Sequence, residues 1–340
     1  MFGKILNQKS VYNISKTLNT ILLILTFLLS SSVTSVYAQN MQHKGTMMNK
    51  KQMMKKIRML QKKAPAKGYL KAHAMLKNPL GLLGGPISIN ISQNGGTAYL
   101  ALPDNRRIDP TVFGSPKMPR AFEGTPGITG LPPVARGVEN GHYTKMKMKS
   151  PFGDKYITAG NARLTIKAVD ATATDAAVTK DKLQFEASWK DKAGNTYTVK
   201  AKKLVTHGLE SPTFGGVATN IILHGFTGLG TPLMPSEYTY FAFWAMGNIY
   251  KNGKLIDKMR IVHGMLTEYV RTKGFKLAFD DQVTPTAMHF HLMVPPLKPN
   301  MKTMAFDKSP VKTGFKLPNG MSLPFWHVMF EAIQVKAERE

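Results

Sequence analysis

The chain has 340 residues, with 46 lysines and arginines against 20 aspartates and glutamates, a formal net charge of +26, and no cysteine. The missing thiols exclude disulfide bonds, cysteine nucleophiles and thiolate metal sites. With 43% hydrophobic and 19% charged residues the chain can bury a core, so a wholly disordered protein is excluded as well.

The excess positive charge is concentrated near the N-terminus, where residues 1–103 contain 14 basic residues and no acidic one. Three lysines precede the apolar stretch Ile21–Leu29, and the small residues of Val36-Tyr37-Ala38 fit a signal-peptidase site. We therefore predict a signal peptide over 1–38, cleavage near Ala38, and an exported protein, periplasmic or extracellular, that is soluble after cleavage. An uncleaved N-terminal anchor is the alternative, although the apolar stretch has about half of the ~20 residues that a spanning helix needs.

The segment 39–80 is predicted to be a basic, methionine-rich tail. Residues 40–80 include 11 basic residues, seven methionines and no acid. Met53, Ile57 and Leu60 share one helical face, which indicates a short basic amphipathic helix. Three interpretations stay open: a solvated terminal segment, adsorption to an anionic membrane surface or envelope polymer, and capture of a soft metal by thioethers. Nucleic acid is not expected as the partner of an exported protein.

Residues 81–139 are predicted to be an irregular segment rich in glycine and proline. Between Pro103 and Glu139 there are seven prolines and five glycines. This composition interrupts helices and central strands.

Short β-type runs follow one another over residues 140–340. Most of these runs alternate apolar and polar residues, and Asn252-Gly253 is a preferred type I′ hairpin turn. We expect ten to twelve strands, among them 275–279 and 325–335. The predicted fold is all-β, an antiparallel β-sandwich or barrel-like domain, and the proline-containing break at 231–235 is a candidate boundary between two subdomains.

Enzyme signatures are scarce in the sequence. It contains no nucleotide-binding loop, no dinucleotide fingerprint, no H-E-x-x-H zinc motif and no EF-hand loop. The run His224-Gly225-Phe226-Thr227-Gly228 resembles the His-Gly oxyanion loop of lipases and esterases, but no G-x-S-x-G nucleophile elbow accompanies it. We interpret its glycines as turn residues after a strand. The sequence favours a protein that is not an enzyme.

Histidine and methionine form the one pattern above background, since four of the nine histidines are followed two residues later by methionine. Residues i and i+2 of a strand share one face, so each such strand would present an imidazole and a thioether together. The candidate metal ligands are His263, His289, His291, His327, Met265, Met293 and Met329.

Imidazole and thioether together suit copper, because harder cations ignore thioethers. The same pattern also fits methionines that fill a core beside hydrogen-bonded histidines, and it fits an organic-ligand pocket lined by these residues. Convergence of the histidine rings within about 5 Å would favour the metal site. Glu331 shares the face of His327, and if it is buried it needs Arg260, Arg271 or His327 as a partner.

Three functions are compatible with these features. The first is an exported binding protein for a ligand such as copper, another soft metal or a small apolar molecule. The second is a structural or interaction protein of the cell envelope that adheres to anionic surfaces through residues 40–80. The third is a copper-dependent oxidoreductase.

Overall fold

A computed structural model of the protein describes residues 86–121, 131–147, 149–171, 180–205, 216–225, 230–295, 297–300, 305–308 and 326–339. The predicted signal peptide over 1–38 and the predicted tail with its basic helix over 39–80 lie outside these residues. Within them, no helix combines the length and the apolar character needed to cross a membrane.

Almost all regular structure is antiparallel β, which confirms the predicted all-β class. The strands are β1 (Ile87–Asp104), β2 (Arg136–Glu139), β3 (His142–Met146), β4 (Ser150–Asp170), β5 (Lys182–Lys190), β6 (Thr196–Leu204), β7 (Val217–Leu223), β8 (Glu237–Lys251), β9 (Lys254–Tyr269), β10 (Thr284–Val294), β11 (Leu297–Asn300), β12 (Ala305–Lys308), β13 (Trp326–Phe330) and β14 (Gln334–Arg339). The helical pieces are α1 (Pro110–Phe113) and 3-10 turns at Pro133–Ala135, Lys273–Phe275 and Asp280–Gln282.

The strands form where the sequence alternates with a period of two. In β5 every second residue from Leu183 to Trp189 is buried, and most of the polar residues between them are exposed. Asn252 and Gly253 join β8 to β9 with φ values of 49° and 79°. Both values are positive, as a type I′ turn requires, so the predicted hairpin is confirmed.

Ten of the strands form one sheet that closes on itself. Its order runs from β13 through β10, β9, β8, β6, β5 and β4 to β1, and residues 98–100 of β1 then pair with β13. β14 continues the β13 position by pairing with the first part of β1, and β7 continues the β6 position by pairing with the first part of β8. The closure makes the fold barrel-like, one of the two predicted architectures.

Two apolar clusters lie on opposite faces of this sheet. The inner cluster fills the closed sheet and includes Leu164, Phe243 and Phe290. The outer cluster lies where α1, the β2–β3 hairpin and the segments around Leu233 and Leu277 cover part of the outer face; we call these elements the covering layer. Consequently β13 and residues 289–294 of β10 are buried on both faces. Their histidines, together with Met293 and Met329, lie between the sheet and the covering layer.

The structure corrects three expectations. β1 occupies residues 87–104 within the segment 81–139 that was expected to be irregular, because the alternating isoleucines at its start form a strand despite the prolines that follow. Residues 275–279 contribute only an isolated bridge from Leu277 to Arg271, because Gly274 turns the chain at φ 74°. The expected strand 325–335 is two strands, β13 and β14, separated where Ala332 has φ 52°.

The segment 231–235 does not divide the sheet. It connects β7 to β8, which pair directly, and strands before and after it belong to the same sheet. Leu233 and Met234 are buried in the outer cluster, and the Leu233 carbonyl accepts a hydrogen bond of 2.9 Å from the Arg106 guanidinium. The segment is therefore part of the covering layer.

Candidate functional site

The predicted ligands occupy the covered face of three neighbouring strands, β9, β10 and β13. Imidazoles and thioethers alternate there in two rows of cross-strand neighbours, Met265–His291–Met329 and His263–Met293–His327. The remaining predicted histidine, His289, lies on β10 opposite Thr267. The regular register of these strands is what places residues from distant parts of the sequence side by side.

Three of the four predicted histidines touch one another, and we call His289, His291 and His327 the histidine chain. The distance from His291 Nε2 to His289 Nε2 is 2.8 Å, and the distance from His291 Nδ1 to His327 Nε2 is 2.9 Å. The ring centroids are 4.4 and 5.2 Å apart, and all three side chains are completely buried. These three rings are in direct contact, in a row from His289 through His291 to His327.

The contacts of His289 fix the position of its proton. Its Nδ1 lies 3.2 Å from Oε1 of Glu331, and this carboxylate oxygen can only accept. Its Nε2 receives the backbone N–H of Val270 at 3.2 Å, so it must carry a lone pair. Neutral His289 therefore has its proton on Nδ1, an assignment inferred from the hydrogen bonds. Glu331 thus has His289 as a partner, which is not one of the three expected from the sequence.

The proton positions of the other two rings follow from that of His289. His291 Nε2 faces the lone pair of His289 Nε2, so it must donate, and it also lies 3.2 Å from the Thr267 hydroxyl oxygen. Neutral His291 then has a lone pair on Nδ1, to which His327 Nε2 must donate. This leaves the His327 Nδ1 lone pair, which is buried and has no hydrogen-bond partner in the described part of the chain.

All members of the histidine chain are neutral. Burial lowers the pKa of His289 and lowers those of His291 and His327 well below their usual range, because an imidazolium ion would lose its hydration. The neighbouring rings and the Arg271 guanidinium lower the pKa values of His291 and His327 further. For His289, the hydrogen bond and charge of Glu331 raise the pKa and partly oppose the effect of burial. Protons therefore do not compete for the ring lone pairs near neutral pH.

His263 does not join the histidine chain. Its ring stacks on Trp244 with centroids 4.6 Å apart, and its Nδ1 donates to the Phe243 carbonyl at 2.9 Å. Burial lowers its pKa to about 4, so it too is neutral. It behaves as a hydrogen-bonded core histidine.

The two thioethers of the row Met265–His291–Met329 have different polar partners. Met329 Sδ accepts a hydrogen bond of 3.0 Å from Nε of Arg271. Met265 Sδ lies 3.3 Å from Nε2 of His224, which is buried at the end of β7. The positively charged Arg271 guanidinium therefore contacts Met329, whereas the neutral His224 imidazole contacts Met265.

Three polar residues of this site were not predicted from the sequence, namely His224, Glu237 and Arg271 in its present role. Burial lowers the pKa of His224 to about 3, and Glu237 Oε1 lies 3.8 Å from its Nε2. Burial and the nearby Glu268 carboxyl group raise the pKa of Glu237 well above its usual range, which favours its uncharged form. His224 has φ 63°, and a Cβ at Gly230 would overlap its Nδ1. In the sequence, only Gly230 could have indicated that a side chain packs closely at this position.

Within the described ranges, no group of three or more histidine, aspartate or glutamate side chains could hold a metal ion by itself. The distances in the histidine chain explain this, since 2.8 and 2.9 Å are hydrogen-bond lengths, whereas two nitrogens on one tetrahedral ion stand about 3.3 Å apart. The 3.3 Å between His224 Nε2 and Met265 Sδ suits both a hydrogen bond and two donors on one ion. Thioether donors would therefore have to complete any metal site.

A small cleft opens at the edge of the covering layer, lined by residues that include Arg106, Asp109, Met234 and Asp280. None of the histidines lines it. This cleft is therefore not an entrance to the buried rings.

No protein-family model, no curated protein and no solved structure matches the chain. The chemistry of the site has to be inferred from its residues and their geometry.

Proposed function

We propose that this protein is an exported binding protein of the cell envelope that holds one soft metal ion, copper(I), in the layer between the sheet and its cover. The observation that carries the proposal is the buried His327 Nδ1 lone pair, which has no partner among the described residues. His327 Nδ1, His224 Nε2 and Met265 Sδ are the donors we assign to the ion. Both rings are buried, and Met265 Sδ, which lies 3.3 Å from His224 Nε2, belongs to the same outer cluster as Met329 of β13.

The histidine chain provides the hydrogen bonds that usually support a metal-binding histidine such as His327. A metal-binding histidine usually donates its other N–H to a carboxylate or carbonyl, which fixes the ring and makes the bound nitrogen more basic. Here the Nε2–H of His327 donates to His291, and the sequence of donors continues through His289 to the Glu331 carboxylate. His289, His291 and Glu331 are therefore supporting residues in the proposal.

The surroundings favour copper(I) over zinc or calcium. Thioether is a soft donor that binds copper(I) well and hard cations poorly. The Arg271 guanidinium, which binds Met329 and acts on all three rings of the chain, disfavours an ion of higher charge. Met293, the cross-strand neighbour of His327, is a further thioether within the layer.

The proposal is tested by titrating the purified protein with copper(I) against a coloured chelator under reducing conditions. We expect one ion per chain. Met265→Leu keeps the side-chain volume but removes the sulfur, so it should weaken binding about tenfold or more while leaving the protein folded. His327→Ala should weaken binding at least as much.

Matched controls exist in the same chain. His142 is exposed on β3, and Met259 is 42% exposed, so His142→Ala and Met259→Leu remove the same donor types at exposed positions rather than at the buried site. Neither change should alter the affinity. Absence of binding at micromolar copper(I), or equal losses in Met265→Leu and Met259→Leu, would contradict the proposal.

The two other functions lack a specific observation in their favour at this site. Adhesion through residues 40–80 depends on a segment outside the described residues. An oxidoreductase needs substrate beside its metal, and the three rings of the histidine chain are completely buried. Copper storage or transfer fits a closed site better than turnover does.

A further inference from the structure

A second surface of the closed sheet is exposed and carries many charged and polar side chains. It is independent of the proposed metal site. The covering layer lies over one part of the outer face only. On β14, the first part of β1, the second part of β4, β5 and β6, the outward side chains between the buried ones are mostly exposed. We call this surface the open face.

The open face is strongly basic. Among its described side chains, eight exposed ones are positively charged, and two, Glu186 and Glu338, are negatively charged. The basic residues are Arg163, Lys167, Lys182, Lys190, Lys200, Lys202, Lys203 and Lys336. One ion pair, Lys200 with Glu186 at 2.9 Å, joins side chains that are each about half exposed, so it neutralises only a small part of this charge.

The basic side chains of the open face alternate with amides and hydroxyls. One cross-strand row runs Lys336–Asn90–Lys167–Gln184. Because neighbouring strands are about 4.8 Å apart, the two lysines of this row are roughly 10 Å apart with an amide between them. In the next row Ser92 lies opposite Thr165, and Thr165 lies opposite Glu186.

Large apolar side chains are not exposed on the open face. The exposed ones among the described residues are Met118, Val134, Val138 and Met259, which lie in the covering layer or on β9. Protein–protein interfaces usually have an apolar centre, and a surface that inserts into a membrane buries apolar side chains. The open face offers neither.

We propose that the open face binds an anionic polysaccharide. Regularly spaced lysines complement the repeated carboxylate or phosphate groups of such a polymer, and the amides and hydroxyls between them match its sugar hydroxyls. A lipid bilayer would satisfy the charges but would leave these amides and hydroxyls without a specific role. The long extended rows across five strands suit an extended chain.

The test is the affinity of the full chain for immobilised polygalacturonate at about 0.1 M salt. The triple variant Lys167→Glu, Lys202→Glu, Lys336→Glu reverses three charges of the open face. It should weaken binding about tenfold or more and reduce the dependence of affinity on salt. The basic N-terminal segment is present in every variant, so its contribution is constant.

A matched triple variant carries the same charge change on the covered side. Lys117, Lys273 and Lys276 are all exposed or partly exposed there, and their replacement by Glu should change the affinity less than about threefold. Equal weakening by both triple variants would show a non-specific charge effect and overturn the proposal. Failure to bind polygalacturonate, with binding to phosphatidylglycerol vesicles that the open-face variant abolishes, would identify a membrane as the partner and also overturn it.

Discussion

At the scale of single residues, two neighbouring groups determine the order of all the protons in the histidine chain. The Glu331 carboxylate can only accept and the Val270 N–H can only donate, so the two nitrogens of His289 have opposite roles. Each further ring then has one permitted neutral form. As a result, Nδ1 of His327 has a lone pair without a hydrogen-bond partner among the described residues. Glu331 and Val270, which determine this, act on it through two intervening rings.

Thr267 is the residue through which this order can be tested without changing a ring. Its hydroxyl donates to the Glu268 carbonyl at 2.7 Å, so its oxygen is free to accept from His291 at 3.2 Å. Thr267→Val keeps the shape of the side chain but removes both bonds. We expect the free energy of unfolding in denaturant to fall by about 1–3 kcal/mol, because buried polar groups lose their partners.

Thr267→Ser retains the hydroxyl and is the matched control. Its loss should be limited to the missing methyl group, about 1 kcal/mol. A valine variant that is as stable as the serine variant would mean that the hydroxyl is not part of the network.

The sequence was sufficient to find the rings of β10 and β13, because a period of two places His289, His291 and Met293 on one face. It was not sufficient to find His224 or Glu237. The approach of His224 to Met265 and to Glu237 depends on the pairing of β7 with β8 and on the backbone of His224 at φ 63°. No local pattern encodes such a contact between separate elements.

At the scale of secondary-structure elements, β9 lies between the inner and outer clusters, and Gly264 packs closely against aromatic rings of the inner cluster. A Cβ there would overlap the ring of Phe243 and come within 2.6 Å of Phe290. Gly264→Ala should therefore lower the free energy of unfolding by about 1–3 kcal/mol, because both aromatic rings must shift.

Gly160 on β4 is the comparison for this substitution. Among the described residues nothing lies within 4 Å of the position its Cβ would take, and its φ is not positive. Gly160→Ala should be neutral or slightly stabilising, since it removes backbone freedom from the unfolded chain. If denaturant unfolding gave equal changes for the two glycines, the close packing around Gly264 would be in doubt.

At the scale of the whole molecule, the buried imidazoles should make the metal-free protein sensitive to acid. His224 has its pKa lowered from 6.5 to about 3 and His263 from 6.5 to about 4, both mainly by burial. Between these values and 6.5 the unfolded chain binds more protons than the folded one. The contribution of these neutral rings to the free energy of unfolding is therefore fully present above about pH 6.5, and it is lost as the pH falls toward 4.

The size of this effect is on the order of 3 kcal/mol or more between pH 7 and pH 4. It can be measured as the shift of the denaturant midpoint across that range. A midpoint that stays constant from pH 7 to pH 4 would mean that the rings are accessible to protons and solvent in the native state.

The all-β class was predictable because period-two patterns recur along the chain. Closure of the sheet was not, since it depends on β1 meeting β13, two strands at opposite ends of the described chain. The proline count after Pro103 also concealed β1, whose signal is the short run Ile87, Ile89 and Ile91. Local patterns specify strands, whereas their long-range pairing is a property of the assembled core.

This closure has a kinetic consequence. The side-chain amide of Gln93 binds the backbone of Glu331, 238 positions further along the chain, so the contacts that seal the sheet have the longest loops to close. Contacts of such separation form late in folding, and until then β1 and β10 present unpaired edges that can aggregate. Because β13 brings His327 as it closes the gap, we expect the candidate ligand set to be assembled in the same late step.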